Sequence, residues 1–305
     1  MLTAVLSLSG AIVYGAADFL GGLAARRLGA LLATAIASVA GLVTMLAALP
    51  VLGGAWTVAD LGWGALSGVI GAVAIALLYA CLAIGPMSIL SPLTALMSAV
   101  TPMLWGTLVG AERFGPLGVW GIGVALVAVV LVGFVPERGA VRPSARGLLL
   151  AIGSGLAIGG YYIAISHTAD ASGVVPLVAN RVVSATVLFA AFGAVTVFAA
   201  VRARSAPDPG AAAGAGSSRG AARDRGALRT ALALALACGV VDATANVLLL
   251  LGIRAGDLAV AAVLGAMYPA GTILLAAIVL RERIAPVQWA GLALALAAAG
   301  LLALA

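Results

Sequence analysis

Apolar stretches of about 20 residues follow one another along nearly the whole of this 305-residue chain. At a rise of about 1.5 Å per residue, one such stretch folded as a helix crosses the roughly 30 Å of hydrocarbon in a bilayer. Only 9% of the residues are charged, against roughly a quarter in a soluble domain. The stretches do not alternate between apolar and polar residues, as the strands of a membrane barrel would. The sequence therefore predicts an all-α integral membrane protein.

Ten transmembrane helices are predicted from the places where the apolar stretches stop. Pro86, Pro116 and Pro286 stand at or just before predicted helix starts, where the missing N–H of proline costs nothing. The ten predicted spans are residues 2–24, 30–49, 61–84, 87–111, 116–135, 147–166, 174–201, 230–251, 258–280 and 286–305.

Two matching helix junctions indicate that the ten helices form two five-helix repeats. A Glu-Arg pair begins at Glu112 and another at Glu282, and in each case a proline follows three residues after the arginine. Because five is an odd number, the second repeat must be inverted in the membrane, and inverted repeats place a substrate site near the midplane. The predicted units are a first repeat in residues 1–135, a connecting loop in 136–146, and a second repeat in 147–305 with a disordered insert in 202–229. The insert is rich in Ala, Gly, Ser, Pro and Arg and cannot build a core.

Three further segments carry a family resemblance. They are YGAADFLGGLA at 14–24, DATAN at 242–246 and GIRAGDL at 252–258. With the Glu-Arg junctions and the chain length, they resemble EamA-type members of the drug/metabolite transporter superfamily. The resemblance implies a secondary transporter of amino acids, other small metabolites or toxic compounds, with export favoured over uptake and proton coupling in some relatives. Many relatives carry an arginine in the second helix, where Ala37 stands here.

Arginine placement predicts the orientation in the membrane. The chain contains no lysine, and thirteen arginines lie in loops after the odd-numbered helices. Only Arg113 and Arg254 lie on the opposite side. Because basic loops stay in the cytoplasm, both termini are predicted outside a bacterial plasma membrane, whereas relatives usually have cytoplasmic termini. The thirteen are Arg26, Arg27, Arg138, Arg142, Arg146, Arg202, Arg204, Arg219, Arg223, Arg225, Arg229, Arg281 and Arg283.

Polar side chains inside the predicted spans mark the candidate site, because a charge at the bilayer centre costs roughly 2.5–3.5 kcal/mol. Asp242 lies near mid-membrane, and it could bind a cation, cycle a proton or pair with a neighbouring helix. Arg181 could hold a substrate carboxylate, or it could form an ion pair with Asp242 or Asp18. Asp18 could line the pathway or pair with a nearby arginine. The predicted substrate- or proton-binding residues are Asp18, Tyr162, Asn180, Arg181, Asp242, Asn246 and Tyr268.

Two prolines are candidate hinges. Pro102 and Pro269 are predicted well inside the fourth and ninth helices, where proline frees a carbonyl and permits a kink. A static bend is the alternative. Glu112 is predicted to be a structural cap, and His167 an interfacial residue.

Several function classes do not fit the sequence. Without lysine the chain has no Walker-type phosphate loop, so no ATP-driven motor is expected. The arginines lie beside apolar spans and do not form a nucleic-acid-binding face. No metal or cofactor motif is present.

The expected partners are the lipid bilayer and a small-molecule substrate, with the chain as a monomer or homodimer. A membrane channel is the alternative, and a membrane-embedded enzyme is a weaker one.

Overall fold

The computed structural model describes residues 1–84, 87–133, 144–205, 218–279, 281 and 283–305. These residues form eleven α-helices and one short 3₁₀-helix, and no strand occurs among them. Gly85-Pro86, Arg138, Arg142 and Glu282 lie outside the described residues. The helices are α1 (Leu2–Leu28), α2 (Ala30–Leu52), α3 (Val58–Ile84), α4 (Met87–Leu108), α5 (Pro116–Gly133), α6 (Ala145–Ser166), α7 (Val175–Ser205), α8 (Ser218–Arg254), α9 (Leu258–Gly265), α10 (Tyr268–Val279) and α11 (Pro286–Leu304).

Helix starts agree closely with the sequence prediction, but two regions differ. The predicted ninth span is two helices, because the chain turns at Ala266 and Met267 between α9 and α10. The predicted disordered insert is helical at both ends, since α7 runs to Ser205 and α8 begins at Ser218. Alanine and arginine favour helix, so both helices continue past the apolar run. Residues 206–217 of the insert lie outside the described residues.

Eight described segments are long and apolar enough to cross a membrane, with α9 and α10 counted together as one. The apolar helix Pro116–Val132 is shorter. Many large apolar side chains are exposed on the outer surface, Leu149 at 70% and Trp120 at 72% among them. Lipid can cover such a surface and water cannot, so the chain is a multi-pass membrane protein.

Helix packing follows a paired pattern. The α1–α8 contact has a counterpart in α3–α6, and α2–α8 has one in α3–α7. Likewise α4 packs on α6, while α1 packs on α9 and α10. Helices α5 and α11 pack on each other.

Glycines let several of these helices approach closely. A Cβ on Gly155 of α6 would lie 2.6 Å from the Thr94 carbonyl oxygen of α4, and one on Gly68 of α3 would lie 2.6 Å from the Asn180 carbonyl oxygen of α7. Contact this close needs the side chain to be missing, as in other membrane helix pairs.

Candidate functional site

An ion pair joins α7 and α8 inside the helix bundle. Arg181 Nη2 donates a hydrogen bond to Asp242 Oδ2. The two side chains are only 11% and 26% exposed. Gly41 of α2 leaves room for the arginine, because a Cβ there would lie 3.3 Å from Arg181 Nε. Of the alternatives left open by the sequence, the structure contains the pairing of Arg181 with Asp242.

Asn246 and two tyrosines extend this ion pair into a network. The Asn246 amide donates to the Asp242 backbone carbonyl at 2.7 Å and to its carboxylate at 3.3 Å. Tyr161 of α6 donates its hydroxyl hydrogen to Asn246 Oδ1, and Tyr14 of α1 lies close to Tyr161. We call Tyr14, Asp18, Tyr161, Tyr162, Arg181, Asp242, Asn246 and Tyr268 the central polar cluster.

Tyr14 and Tyr161 were not among the predicted site residues. A signal for Tyr14 was present, because it lies one turn before Asp18 on the same face of the first helix. Tyr161 had no such signal, since which of the adjacent Tyr161 and Tyr162 faces Asn246 depends on the rotation of α6 in the bundle. The two rings meet edge to face with centroids 5.4 Å apart.

Asp18 is the second carboxylate of the cluster and has no hydrogen bond or ion pair among the described residues. Its side chain is exposed, yet it lies within electrostatic range of Asp242, Tyr162 and Tyr268. The sequence alternative in which Asp18 pairs with Arg26 or Arg27 does not occur in the described part of the chain.

The inner face of α1 shows from which end Asp18 is reached. Ser7 and Ala11 on this face are buried, Tyr14 is half-buried, and Asp18 and Gly22 are exposed. A Cβ added to Gly22 would have no neighbour within 4 Å. The face therefore opens progressively from the N-terminal end of α1 towards its C-terminal end.

The break between α9 and α10 lies beside the cluster. Tyr268 begins α10, and its backbone carbonyl packs on α1, where a Cβ on Gly15 would lie 2.5 Å from it. A Cβ on Gly265, the last residue of α9, would lie 3.8 Å from the Tyr162 hydroxyl. Broken helices in membrane proteins occur where they line a cavity or are covered by protein.

The two predicted hinge prolines occupy different settings. Pro102 lies inside α4, together with Pro92. Pro269 was predicted inside a continuous helix, but it is the second residue of α10 and follows the break. Proline fits the first turn of a helix and has no N–H to donate to the Gly265 carbonyl four residues earlier.

Asn180 lies outside the central polar cluster, contrary to prediction. Its side chain is buried, and its amide donates to Ser67 Oγ of α3 at 2.9 Å. Consecutive helical residues point about 100° apart, so Asn180 faces α3 while Arg181 faces Asp242. Asn180 therefore joins two helices and does not line the site.

Arg254 closes the end of the bundle where α1 begins and α8 ends. Its guanidinium donates to the Gly173 carbonyl at 2.8 Å, the Ala169 carbonyl at 3.0 Å and Ser172 Oγ at 3.0 Å. Asp60 holds the same loop, since its carboxylate accepts the Ala169 N–H at 2.8 Å. We call this end, formed by residues 53–57, 109–115, 167–174 and 255–257, the sealed end.

Glu112 links the two halves of the chain at the sealed end. Its carboxylate accepts the N–H groups of Leu258 and Ala259, at 2.8 and 3.2 Å. These are free donors in the first turn of α9, so Glu112 caps that helix. The predicted capping role is thus observed, with a partner 146 residues away in the sequence. Burial raises the pKa of Glu112 above its ordinary value.

A cavity of about 290 Å³ lies beside Glu112 and does not include the central polar cluster. Its lining includes Trp105 and His167, whose ring centroids are 6.0 Å apart. His167 also stacks on Trp63 at 4.6 Å and is exposed, in agreement with an interfacial position. Among the described residues, no group of three or more His, Cys, Asp or Glu could hold a metal ion.

Comparisons with known proteins support the membrane fold and assign the family. No curated protein matches the chain. Among 29 matching chains of solved structures, one described only as the crystal structure of a protein has a TM-score of 0.67 and 18% identity, over 99% of this chain and 98% of that one. At this identity the likeness shows the fold alone.

The model of the EamA-like transporter family matches residues 145–304, more than half of the chain. This confirms the resemblance seen in the sequence, and the chain belongs to the EamA-like transporter family of the drug/metabolite transporter superfamily.

Proposed function

We propose that this protein is a secondary active transporter that moves a small metabolite by alternating access to the central polar cluster. The observation that carries the proposal is the graded exposure of the inner face of α1, from buried Ser7 to exposed Asp18. A carrier that is open at one end and closed at the other has this property, since its polar binding residues are reached from one side only.

In this proposal, contacts at the sealed end block access to the central polar cluster from that end. Glu112 and Arg254 each hold backbone groups from an element distant in sequence. The contacts made by Glu112 and Arg254 are hydrogen bonds at the surface end of the bundle, so they can separate without unpacking the apolar core. If the helices that carry Glu112 and Arg254 moved away from the segments they hold, these hydrogen bonds would break and the opposite end could close.

Two observations support a ten-span arrangement of two inverted repeats. Helix contacts occur in matching pairs, such as α1–α8 with α3–α6. Ala111 and Arg281, the residues just before Glu112 and Glu282, have nearly equal positive φ angles of 55° and 56°. A positive φ is uncommon outside glycine, and it recurs here at the matching position of each half.

Export from the cytoplasm of a bacterial cell is our proposal for direction and place. It rests on the family resemblance, and the arginine distribution would put the connecting loop and the insert in the cytoplasm. A proton could be exchanged for the substrate through Asp18 or Asp242.

Solute flux into proteoliposomes tests the proposal. Purified full-length protein is reconstituted, and uptake of labelled amines, amino acids and other small metabolites is measured over a range of concentrations. We expect flux that saturates with substrate concentration and is accelerated by unlabelled substrate on the opposite side. Flux that rises linearly without saturation would indicate a channel, and chemical change of the solute would indicate an enzyme.

A further inference from the structure

The central polar cluster contains two carboxylates and one guanidinium. Asp242 is paired with Arg181 and also accepts a hydrogen bond from Asn246. Asp18 has no such partner among the described residues. When all three groups are ionised, the cluster carries one uncompensated negative charge. An unpaired carboxylate within the membrane is costly, so Asp18 takes up either a proton or a positive partner, and the described chain supplies no such partner.

Solvent accessibility distinguishes Asp18 from Asp242, the carboxylate that is paired with Arg181. The Asp18 side chain is exposed, whereas Asp242 is 26% exposed and held by two side chains. The exposed stretch of α1 that includes Asp18 continues to Gly22, beside which there is open space. A ligand entering along this face therefore reaches Asp18.

Three tyrosines of the central polar cluster lie on the Asp18 side of α1 or within electrostatic range of Asp18. Tyr14 lies one turn before Asp18 on the same face of α1, and Tyr162 and Tyr268 lie within electrostatic range of it. Aromatic rings attract cations, and the attraction is stronger where water is excluded. One negative charge among three aromatic rings is a favourable setting for an organic ammonium ion.

We propose that the substrate of this transporter is a small organic amine in its ammonium form, bound by Asp18 with Tyr14, Tyr162 and Tyr268 around it. This inference rests on the proposed function and defines its substrate class. The cluster also disfavours substrates that carry a carboxylate. Arg181, the only cation in the cluster, is occupied by Asp242, and Asp18 would repel a second carboxylate. The site therefore selects amines over amino acids of the same shape.

A matched set of ligands tests this selectivity without any mutation. Phenethylamine, phenylalanine and 3-phenylpropionate share one ring and chain and differ in charge. Binding to the purified full-length protein in detergent is measured by isothermal titration calorimetry at neutral pH. We expect phenethylamine to bind about tenfold or more tightly than phenylalanine, because both carry the ammonium group but only phenylalanine brings a carboxylate that Asp18 repels. The anion should not bind. Equal or tighter binding of phenylalanine would overturn the inference.

A pair of variants assigns the amine to Asp18. Asp18→Asn keeps the shape of the side chain and removes its charge, and we expect it to weaken phenethylamine binding about tenfold or more. Asp257→Asn is the matched control, because Asp257 is exposed at the sealed end and its side chain does not cap α9. Unchanged amine affinity in Asp18→Asn would overturn the assignment.

Flux measurements separate failure of this inference from failure of the proposed function. Saturable, exchangeable flux of an amino acid or an anion, with no amine transported, would leave a transporter and refute the amine class. Absence of saturable flux for every solute would refute the transporter itself. Amine flux that survives in Asp18→Asn would refute the role of Asp18 alone.

Discussion

The ion pair between Arg181 and Asp242 is mostly shielded from solvent, with side chains 11% and 26% exposed. Removing one partner leaves the other charge without compensation in the bundle, which costs about 3–5 kcal/mol for a buried pair. We expect Arg181→Met and Asp242→Leu each to lower the free energy of unfolding on that scale. The double variant should lose clearly less than the sum. Thermal and denaturant unfolding in detergent measures these differences, and additive losses would contradict a direct pair.

Asn180 and Asn246 form a natural comparison, since both are buried and hydrogen-bonded on neighbouring helices. Asn180→Ala removes the hydrogen bond to Ser67, whose hydroxyl still donates to the Gly64 carbonyl, and should cost about 0.5–1.5 kcal/mol of stability, with no change in substrate affinity. Asn246→Ala should cost a similar amount and also weaken binding, because Asn246 holds the Asp242 carboxylate. Ligand affinity and unfolding temperature, measured on both variants, check this contrast. Weaker binding in Asn180→Ala would place that residue in the site.

At the scale of single residues, the sequence supplied most polar residues of the cluster but did not decide among their possible partners. Hydropathy and depth identified Asp18, Arg181, Asp242 and Asn246, because charge inside an apolar span is costly wherever it points. Whether Asn180 or Arg181 faces the cluster depends on the rotation of α7 against α3. That rotation is determined by close packing such as that of Gly68 on the Asn180 carbonyl, which no local pattern encodes.

Pro269 determines whether α9 and α10 can join into one helix. Pro269→Ala would supply an N–H for the Gly265 carbonyl, a bond worth about 0.5–1.5 kcal/mol. We expect a protein of equal or higher unfolding temperature whose transport is several-fold slower, because a continuous helix would straighten the chain beside Tyr162 and Tyr268. Pro286→Ala is the control, since Pro286 stands in the first turn of α11, where no such bond is missing. Undiminished transport in Pro269→Ala would show that the break is not needed.

We expect closure of the sealed end to depend on pH through Glu112. Burial raises the pKa of Glu112, and this outweighs the opposing effect of the N–H groups of Ala259 and Leu258, while Asp257 raises it further. A carboxyl with a raised pKa binds its proton more tightly in the closed form than when solvated. The closed form is therefore favoured at low pH and loses stability as the pH rises from about 4.3, the ordinary value for Glu, through the raised pKa. His167 lines the same cavity.

Distances measured across the sealed end test whether the closed form is favoured at low pH. Spin labels at Leu117→Cys and Ala171→Cys, with Cys81 and Cys238 replaced by alanine, report separation by pulsed electron resonance. We expect the short-distance population to grow as the pH falls. Glu112→Gln should remove most of that change, since an amide keeps one acceptor and does not titrate. An unaltered pH response in Glu112→Gln would show that Glu112 does not control closure of the sealed end.

Most helix starts were predictable, because the spans are long apolar runs and Gly, Pro or charged residues stand at most of the breaks between them. The split of the ninth span at Ala266 and Met267 was not, since the apolar run continues through it and Pro269 alone is compatible with a kink or a break. The capping of α9 by Glu112 also lay beyond sequence reasoning, because its donors are 146 and 147 residues away.

Arginine placement predicts the orientation of the whole molecule in the membrane. Thirteen arginines in the loops after odd-numbered helices against two on the other side predict that both termini and the sealed end lie outside the cell. Alkaline phosphatase fused after Ala305 should be active, and green fluorescent protein at the same place should be dark. Fusions truncated after Gly29 should give the reverse pattern. A fluorescent C-terminal fusion would instead place the termini in the cytoplasm, as in most relatives.

This orientation also determines which state of the cycle the structure represents. If the sealed end lies outside, the exposed stretch of α1 from Asp18 to Gly22 opens towards the cytoplasm, and the structure is inward-facing. A cysteine replacing Gly22, which has open space around its Cβ position, should then react with a membrane-impermeant maleimide in inside-out vesicles and not in intact cells. Ser172 is buried beneath Arg254 at the sealed end. Ser172→Cys should therefore not react with the maleimide in either preparation until substrate is added and the carrier changes state. Suppose that the termini are mapped outside the cell and Gly22→Cys is nevertheless labelled from outside. The exposed stretch of α1 from Asp18 to Gly22 would then not open towards the cytoplasm.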